Sequence, residues 1–455
     1  MVDISRLSHR NRILVESIKR LLRRNAFTHL RKMVNKTHAA DLALVFKDIP
    51  LADQCRLYNM MESVEQKGIL FATLDESIVP GLIDALDVNE VVEVLVEMSP
   101  DDVAALLGYL SETKSAELLE KMQREASEDV EELLAYADDT AGAIMLPDFI
   151  ALQQDITASE AIQSLQSEYI NVEMPFYLYV VDEYQRLVGV LSLRQLVVVP
   201  GHTPLKDFMT THVYSVTTDT HQEDVAKIVE RYDFLAVPVV DESNVLVGIV
   251  TVDDVIDVFR EEATEDILKM AGVGETFVET QNVFRSIRIR LPWLFASCFG
   301  GIMAFFIIGH FEENLRSFAY IAAFIPVIMG MGGNIGTQSC TIVVRGLATN
   351  RLDVSDFGSV VFKEISVGLL LGLFYGVMIG GVAQVRYGMS GFALAVGASV
   401  VSSMSIAALI GSLFPMTFAR LKIDPAVATG PFVTTFIDII SVFFYFVAAT
   451  TILGI

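Results

Sequence analysis

Five apolar stretches of about 20 residues or more, all downstream of Arg290, restrict this chain more than any other feature. They run from Leu291 to His310, Phe318 to Val344, Ile365 to Val385, Gly391 to Phe418 and Val427 to Leu453. Lipid supplies no hydrogen bonds to a backbone, so each stretch must be a membrane helix or pack inside protein. Flanking charge orients them. Arg285, Arg288, Arg290, Arg345, Arg351, Lys363, Arg420 and Lys422 lie on one side, against Arg316 and Arg386 on the other. Basic loops stay in the cytoplasm, which puts the large N-terminal part inside the cell and the C-terminus outside.

The fifth stretch carries one charge, Asp438, near its middle. A carboxylate at that depth costs about 2.5 to 3.5 kcal/mol on insertion scales, so it turns toward water or a partner. Thr434, Thr435, Ser441 and Tyr445 recur at helical spacing around it and predict one polar stripe. The second stretch is also unusual. Pro326, Gly330, Gly332, Gly333 and Gly336 are expected to interrupt or thin its helix, and Asn334, Thr337, Gln338 and Thr341 form a second polar stripe. Small residues alone would account for close helix packing. They do not account for the amides.

The chain's net charge of −24 belongs to the part before the membrane. Residues 1–284 hold 50 acidic side chains to 23 basic ones. An acidic body beside a membrane points to cations and away from nucleic acid or anionic lipid. Cys55, Cys298 and Cys340 are too few and too scattered for a disulfide framework. The opening MVDISRLSHRNRILVESIKR has charges throughout and no apolar core, so it reads as a basic amphipathic helix and not a signal peptide.

Within a first domain over residues 1–138, apolar side chains recur from Asn11 to about Asp138 at three- and four-residue steps between short polar turns, as in Leu42, Val45 and Phe46, or Val91, Val94 and Leu95. A helical-repeat domain is expected. In one turn Ser99 can cap, Pro100 suits the first helical position, and Asp101 and Asp102 sit where the helix dipole favours anions, a role as open to them as cation binding. Between 139 and 260 the period changes and the chain repeats itself. YLYVVDEY at Tyr177 is echoed by AVPVVDES at Ala236, and LVGVLSLRQL at Leu187 by LVGIVTVDDV at Leu246, both 59 residues on. Each unit predicts two strands and a helix beginning at Ser192 or Thr251. An acidic helical segment from Glu261 and a basic one, FRSIRIR from Phe284, form a connector over 261–290.

The doubled unit resembles a tandem pair of CBS domains, over 139–200 and 201–260. That resemblance implies adenine nucleotide or metal-ion binding, with an ATP site at Tyr177, Arg194 and Phe234. The ribose-binding Ser/Thr-x-x-Asp turn of that family is complete at Thr251 and Asp254; after Ser192 the corresponding residue is Gln195. MGMGGNIGTQS in the second span and DPAVATGPFVTTFID in the fifth, with the CBS pair and the acidic helical domain, resemble the MgtE family of magnesium channels over nearly the whole chain.

The resemblance implies a multidomain membrane protein: an α-helical repeat domain, tandem α/β CBS domains, a connecting helix and a five-helix all-α transmembrane domain over 291–455. It implies a homodimer in the lipid bilayer of the plasma membrane, with no enzymatic activity, and an ion path between the subunits. Its pore site would comprise Asp438, Asn334, Gly333 and Thr434, and its Mg2+ sensor Asp101, Glu223, Asp233, Asp254, Asp257, Glu262, Glu265 and Asp266. Ala105 stands where the family often has a second N-domain acid. Mg2+ holds its waters at about 2.0 to 2.1 Å and sheds them reluctantly, so a pore would grip the hydrated ion, and a two-fold axis would supply two Asp438 carboxylates to balance it. Two other readings stay open on sequence: a channel for Co2+ or Mn2+, and a CBS-regulated membrane protein without transport.

Overall fold

The computed structural model describes residues 4–167, 174, 176–273, 283–311, 319–349, 351–428 and 430–454. Arg316 and Phe318, named above, lie outside them, as does the side chain of Arg285. The chain forms two compact units, Met1–Glu261 and Glu262–Ile455.

The first unit begins with short helices: α1 (Ile4–Arg23), α2 (Phe27–Val34), α3 (Ala39–Phe46), α4 (Leu51–Tyr58), α5 (Val64–Thr73), α6 (Val79–Ala85), α7 (Val88–Leu95), α8 (Pro100–Gly108), α9 (Glu112–Lys121) and α10 (Arg124–Leu134). The polar turns start them: Ser63 accepts from the Gln66 amide at 3.2 Å and Asp87 from that of Asn89 at 2.9 Å. Leu42, Val45, Phe46, Val91, Val94 and Leu95 are fully buried in the shared core, as their periodicity predicts. Ser99 differs from expectation. It has N-cap dihedrals but makes no capping bond.

Then come β1 (Ala151–Gln153), α11 (Ala158–Ser167), β2 (Tyr177–Val181), β3 (Leu187–Ser192), α12 (Leu193–Val198), β4 (Val216–Thr217), α13 (Gln222–Tyr232), β5 (Ala236–Val240), β6 (Leu246–Thr251) and α14 (Val252–Met270). In each half a parallel pair is followed by an antiparallel hairpin, β1-β2-β3 and β4-β5-β6. Even the register slip repeats, between Val180 and Val181 and between Val239 and Val240. The two hairpin turns bond to each other: Leu187 N–H donates to Asn244 O at 3.0 Å and Leu246 N–H to Gln185 O at 3.1 Å. Gln185 and Asn244 both take the left-handed conformation there, at φ 61° and 63°. The repeat in the sequence is thus a pseudo-two-fold in space. α14 runs unbroken past residue 260, so the expected division between the second CBS unit and the connector falls inside one helix. Residues 274–282 of the connector lie outside the described set.

The second unit contains α15 (Val283–His310), a 3-10 turn at Ala319–Phe324, α16 (Ile325–Ala348), α17 (Phe357–Tyr387), α18 (Ser390–Arg420) and α19 (Gly430–Leu453). Among the described residues five helices are long and apolar enough to cross a membrane. α18 is central and packs on α16, α17 and α19; α15 leans on α19. The second span departs from expectation: α16 is continuous through every glycine, with Pro326 in its first turn, where the missing N–H leaves no bond unmade. Its glycines serve packing. A Cβ on Gly411 of α18 would strike the backbone carbonyl of Gly336, so these two helices touch main chain to main chain. Gly411→Val is therefore expected to cost about 2 kcal/mol or more by overpacking, while Gly301→Val, where a Cβ meets nothing within 4 Å, should be silent. Thermal unfolding of the purified chain in detergent checks both.

Candidate functional site

On α19, Asp438 is half-buried and makes no hydrogen bond or ion pair with a described residue. Beside it lies Gly333 of α16, where a Cβ would stand 4.0 Å from Asp438 Oδ1. The glycine leaves room next to the carboxylate. Asn334, Thr337, Gln338 and Thr341 continue along α16 as an exposed polar face. Thr434 lies one turn before Asp438 and donates to Gly430 O at 3.1 Å; Thr337 donates to Gly333 O at 2.9 Å. The Thr337 hydroxyl thus spends its proton on its own helix and keeps lone pairs for an outside donor, such as a water on a cation.

The stripe expected on α19 divides. Ser441 is buried and paired with Ser403 of α18 at 2.7 Å, and Tyr445, fully buried, donates to Ile321 O at 2.7 Å. These two are interior partners and not lining groups, because the arc through Val433, Ile437, Ser441 and Tyr445 faces the helix core and Asp438 sits at its edge. Thr435 packs against Gly300 of α15. Ser403 was not anticipated, although Ser399 and Ser403 at i, i+4 in an apolar run were the available signal. Glu364 was also missed: α17 begins eight residues before the expected Ile365, at Phe357, and Glu364 is 5 % exposed within it.

In the first unit, two aspartates of α8 lie within electrostatic reach of three on α14. Asp101 and Asp102 occupy the first turn of α8; Asp253, Asp254 and Asp257 lie on α14. Burial, with repulsion from Asp101, Asp253 and Asp102, pushes Asp254 up to about 7, against a hydrogen bond from Thr251. Burial pushes Asp101 up to about 6, and one of its carboxylate oxygens is buried without a hydrogen-bond partner. Asp102 is raised by burial and then by Asp253 and Asp257. Asp102 and Asp253 thus lie near Asp101, Asp254 and Asp257, while position 105 carries no acid. Among the described residues no three His, Cys, Asp or Glu side chains converge on one point as direct metal ligands. An all-oxygen cluster with an unsatisfied carboxylate nonetheless fits a hydrated hard cation, which needs acceptors for its waters more than a closed cage.

The other expected sensing acids are apart. Glu223 and Asp233 sit at opposite ends of α13, about 15 Å of helix between them, and Glu223 is paired with Lys227 at 3.0 Å. Glu262, Glu265 and Asp266 lie half-buried on the second half of α14. There Lys269 pairs with Glu265 and donates to Asp424 Oδ2 at 2.8 Å, in the α18–α19 loop. Gly430, at φ 57°, lies where a Cβ would come 2.7 Å from Met270 O, so only glycine allows α14 to end against α19.

A cavity of about 240 Å3 between the CBS halves is lined by Tyr177, Ser192, Gln195, Tyr214 and Phe234, among others. Tyr214 stacks on Tyr232 at 4.3 Å and Tyr232 on Phe234 at 5.4 Å. Arg194 is exposed and outside the lining. The complete Thr251–Asp254 turn is outside it too, closed on itself beside Asp101, whereas Ser192 and Gln195, bonded in a capping box, line it. At this size the cavity suits a stacked base with any phosphates outside.

A family model described as "Divalent cation transporter" matches residues 325–448, one for the "MgtE intracellular N domain" residues 37–139, and a CBS-domain model residues 141–200 and 205–261. The chain is 34 % identical over 430 residues to the magnesium transporter MgtE of Bacillus subtilis, covering 94 % of this chain and 95 % of that one. It is 39 % identical to the magnesium transporter MgtE of Thermus thermophilus, covering 69 % and 70 %. The crystal structure of the cytosolic domain of the Mg2+ channel MgtE in complex with ATP superposes with a TM-score of 0.51 at 32 % identity, over 54 % of this chain and 99 % of that one. That of the soluble part of a magnesium transporter gives 0.50 at 32 % identity, over 56 % and 99 %.

Proposed function

The chain belongs to the MgtE family of magnesium transporters, and from that membership we propose that it is a homodimeric channel passing hydrated Mg2+ inward past Asp438 and closed by cytosolic Mg2+. One observation carries the reading: an unpaired carboxylate at membrane depth, with room beside it at Gly333 and an exposed row of amides and hydroxyls along the same helix. A second subunit covering that row would enclose an oxygen-lined path with two Asp438 side chains. Asn334, Thr337 and Thr434 then accept from the ion's waters, and Asp438 supplies the charge.

Closure is assigned to the aspartates of α8 and α14. A bound divalent cation supplies positive charge that offsets their mutual repulsion. Asp101 and Asp102 then stay against Asp253, Asp254 and Asp257, and this compact state is the closed one. Tyr177 and Phe234 would stack an adenine in the CBS cavity, making ATP a modulator. The N-terminal part faces the cytoplasm of the plasma membrane.

The test is patch recording of the reconstituted full chain while Mg2+ is raised on the side bearing the soluble unit. Current carried by Mg2+ should fall as the concentration rises. A current that grows without limit, or no Mg2+ current at all, would sink the proposal, and Co2+ and Mn2+ run in competition measure selectivity.

A further inference from the structure

The basic first helix is not used by the function proposed above. Residues 1–36 carry ten Lys and Arg against two acids, in front of a body that is otherwise strongly acidic. The segment also precedes the stretch matched by the N-domain model, which begins at residue 37. On α1, Ile18 and Leu22 are buried and Leu14, Val15 and Leu21 pack against the core. The opposite arc carries Arg12, Arg20 and Arg23, with Arg24 in the turn that follows, all exposed; Ile13, 51 % exposed, lies among them, and Phe27, the first residue of α2, is 41 % exposed. Arg12 alone of the four pairs with an acid, Glu16 at 3.5 Å. The body around them offers dozens of carboxylates, yet Arg20, Arg23 and Arg24 make no ion pair with any described residue.

We propose that this face of α1 is a docking surface for the anionic phospholipid headgroups of the bilayer that holds the five membrane helices. An arginine row interleaved with exposed apolar side chains is what a helix lying in a headgroup layer requires: guanidinium groups for phosphates, and Ile13 and Phe27 for the acyl boundary. The chain is anchored in that bilayer, so the surface is always close at hand. Each basic residue near an anionic leaflet strengthens association about fivefold, and the attraction falls with salt. The acidity that excludes anionic lipid as a partner for the body as a whole does not extend to this helix.

The probe is an environment-sensitive fluorophore on a cysteine at Ile13→Cys, in the full chain with Cys55→Ser, Cys298→Ser and Cys340→Ala, reconstituted in phosphatidylcholine vesicles with or without about 30 % phosphatidylglycerol. The emission should shift to the blue only with the anionic lipid, revert at about 500 mM salt, and vanish in Arg12→Glu/Arg20→Glu/Arg23→Glu/Arg24→Glu. Circular dichroism of that variant should match the parent. If it does not, the milder change of the same four arginines to glutamine must still weaken the lipid response at least tenfold. Equal emission in both vesicles overturns the proposal. So does a salt-sensitive blue shift in phosphatidylcholine alone, which would assign the helix to the acidic surface of a second copy. Mg2+ flux enters none of these readings, so a failed conduction test leaves them standing.

Discussion

Asp438→Ala is expected to abolish Mg2+ current while leaving the protein assembled in the membrane. The side chain is half-buried, makes no hydrogen bond or ion pair with a described residue, and lies beside the space left by Gly333. Its removal therefore takes away an ion's partner without breaking a structural bond. A hydrogen bond to a charged group is worth about 1.5 to 3 kcal/mol, so losing a symmetry-related pair costs the bound ion about 3 kcal/mol or more, over 100-fold in occupancy. Asp438→Asn keeps the shape and one acceptor oxygen but removes the charge, and separates space-filling from charge. Should the asparagine variant conduct normally while alanine does not, space-filling and not charge would be the cause. Mg2+ current at the wild-type level through the alanine variant would refute the pore assignment. Unfolding of the variant in detergent at the wild-type temperature would rule out misfolding as the explanation for a silent channel.

Most of this architecture was legible because its causes are local. The five spans follow from uninterrupted apolar length, and the CBS pair from one pattern written twice, 59 residues apart, which the structure turns into two matched hairpins joined at Gln185 and Asn244. What could not be read depends on which way a helix is turned once its neighbours are in place. Ser441 and Tyr445 have the same polarity and spacing as lining groups, yet they point inward, where Ser403 and the carbonyl of Ile321 receive them. The glycines of the second span looked like a break because glycine weakens an isolated helix. Their purpose appears only from α18, whose Gly411 needs Gly336 to be bare. Asp102 fits a dipole partner as well as a cation ligand in sequence, and Asp253 is not distinguished there, since a first-turn acid is well explained by its own helix. Only the approach of α8 to α14 makes them part of a cluster.

That cluster gives the second large effect. In the Asp254→Ala/Asp257→Ala protein, Mg2+ current should persist at cytosolic concentrations that close the wild type, because the acids that would hold the cation against Asp101 and Asp102 are gone. The wild type should respond to protons in the same direction as to Mg2+. Asp101 and Asp254, pushed up to about 6 and about 7, bind protons more readily in the assembled unit than when separated, where each returns toward 3.8. The assembled arrangement therefore loses stability as pH rises from about 4 through about 7, and gains it as pH falls. Less Mg2+ should then be needed to close the channel at pH 6 than at pH 8, and the difference should shrink in Asp254→Asn, which cannot titrate. Recording closure against Mg2+ at both pH values measures it. A requirement for more Mg2+ at pH 6, or an undiminished pH effect in Asp254→Asn, would mean that protons act elsewhere and that the aspartates of α8 and α14 do not govern closure. Protons and divalent cations are thus alternative means of relieving one repulsion, and a body this acidic remains open only while that repulsion is unanswered.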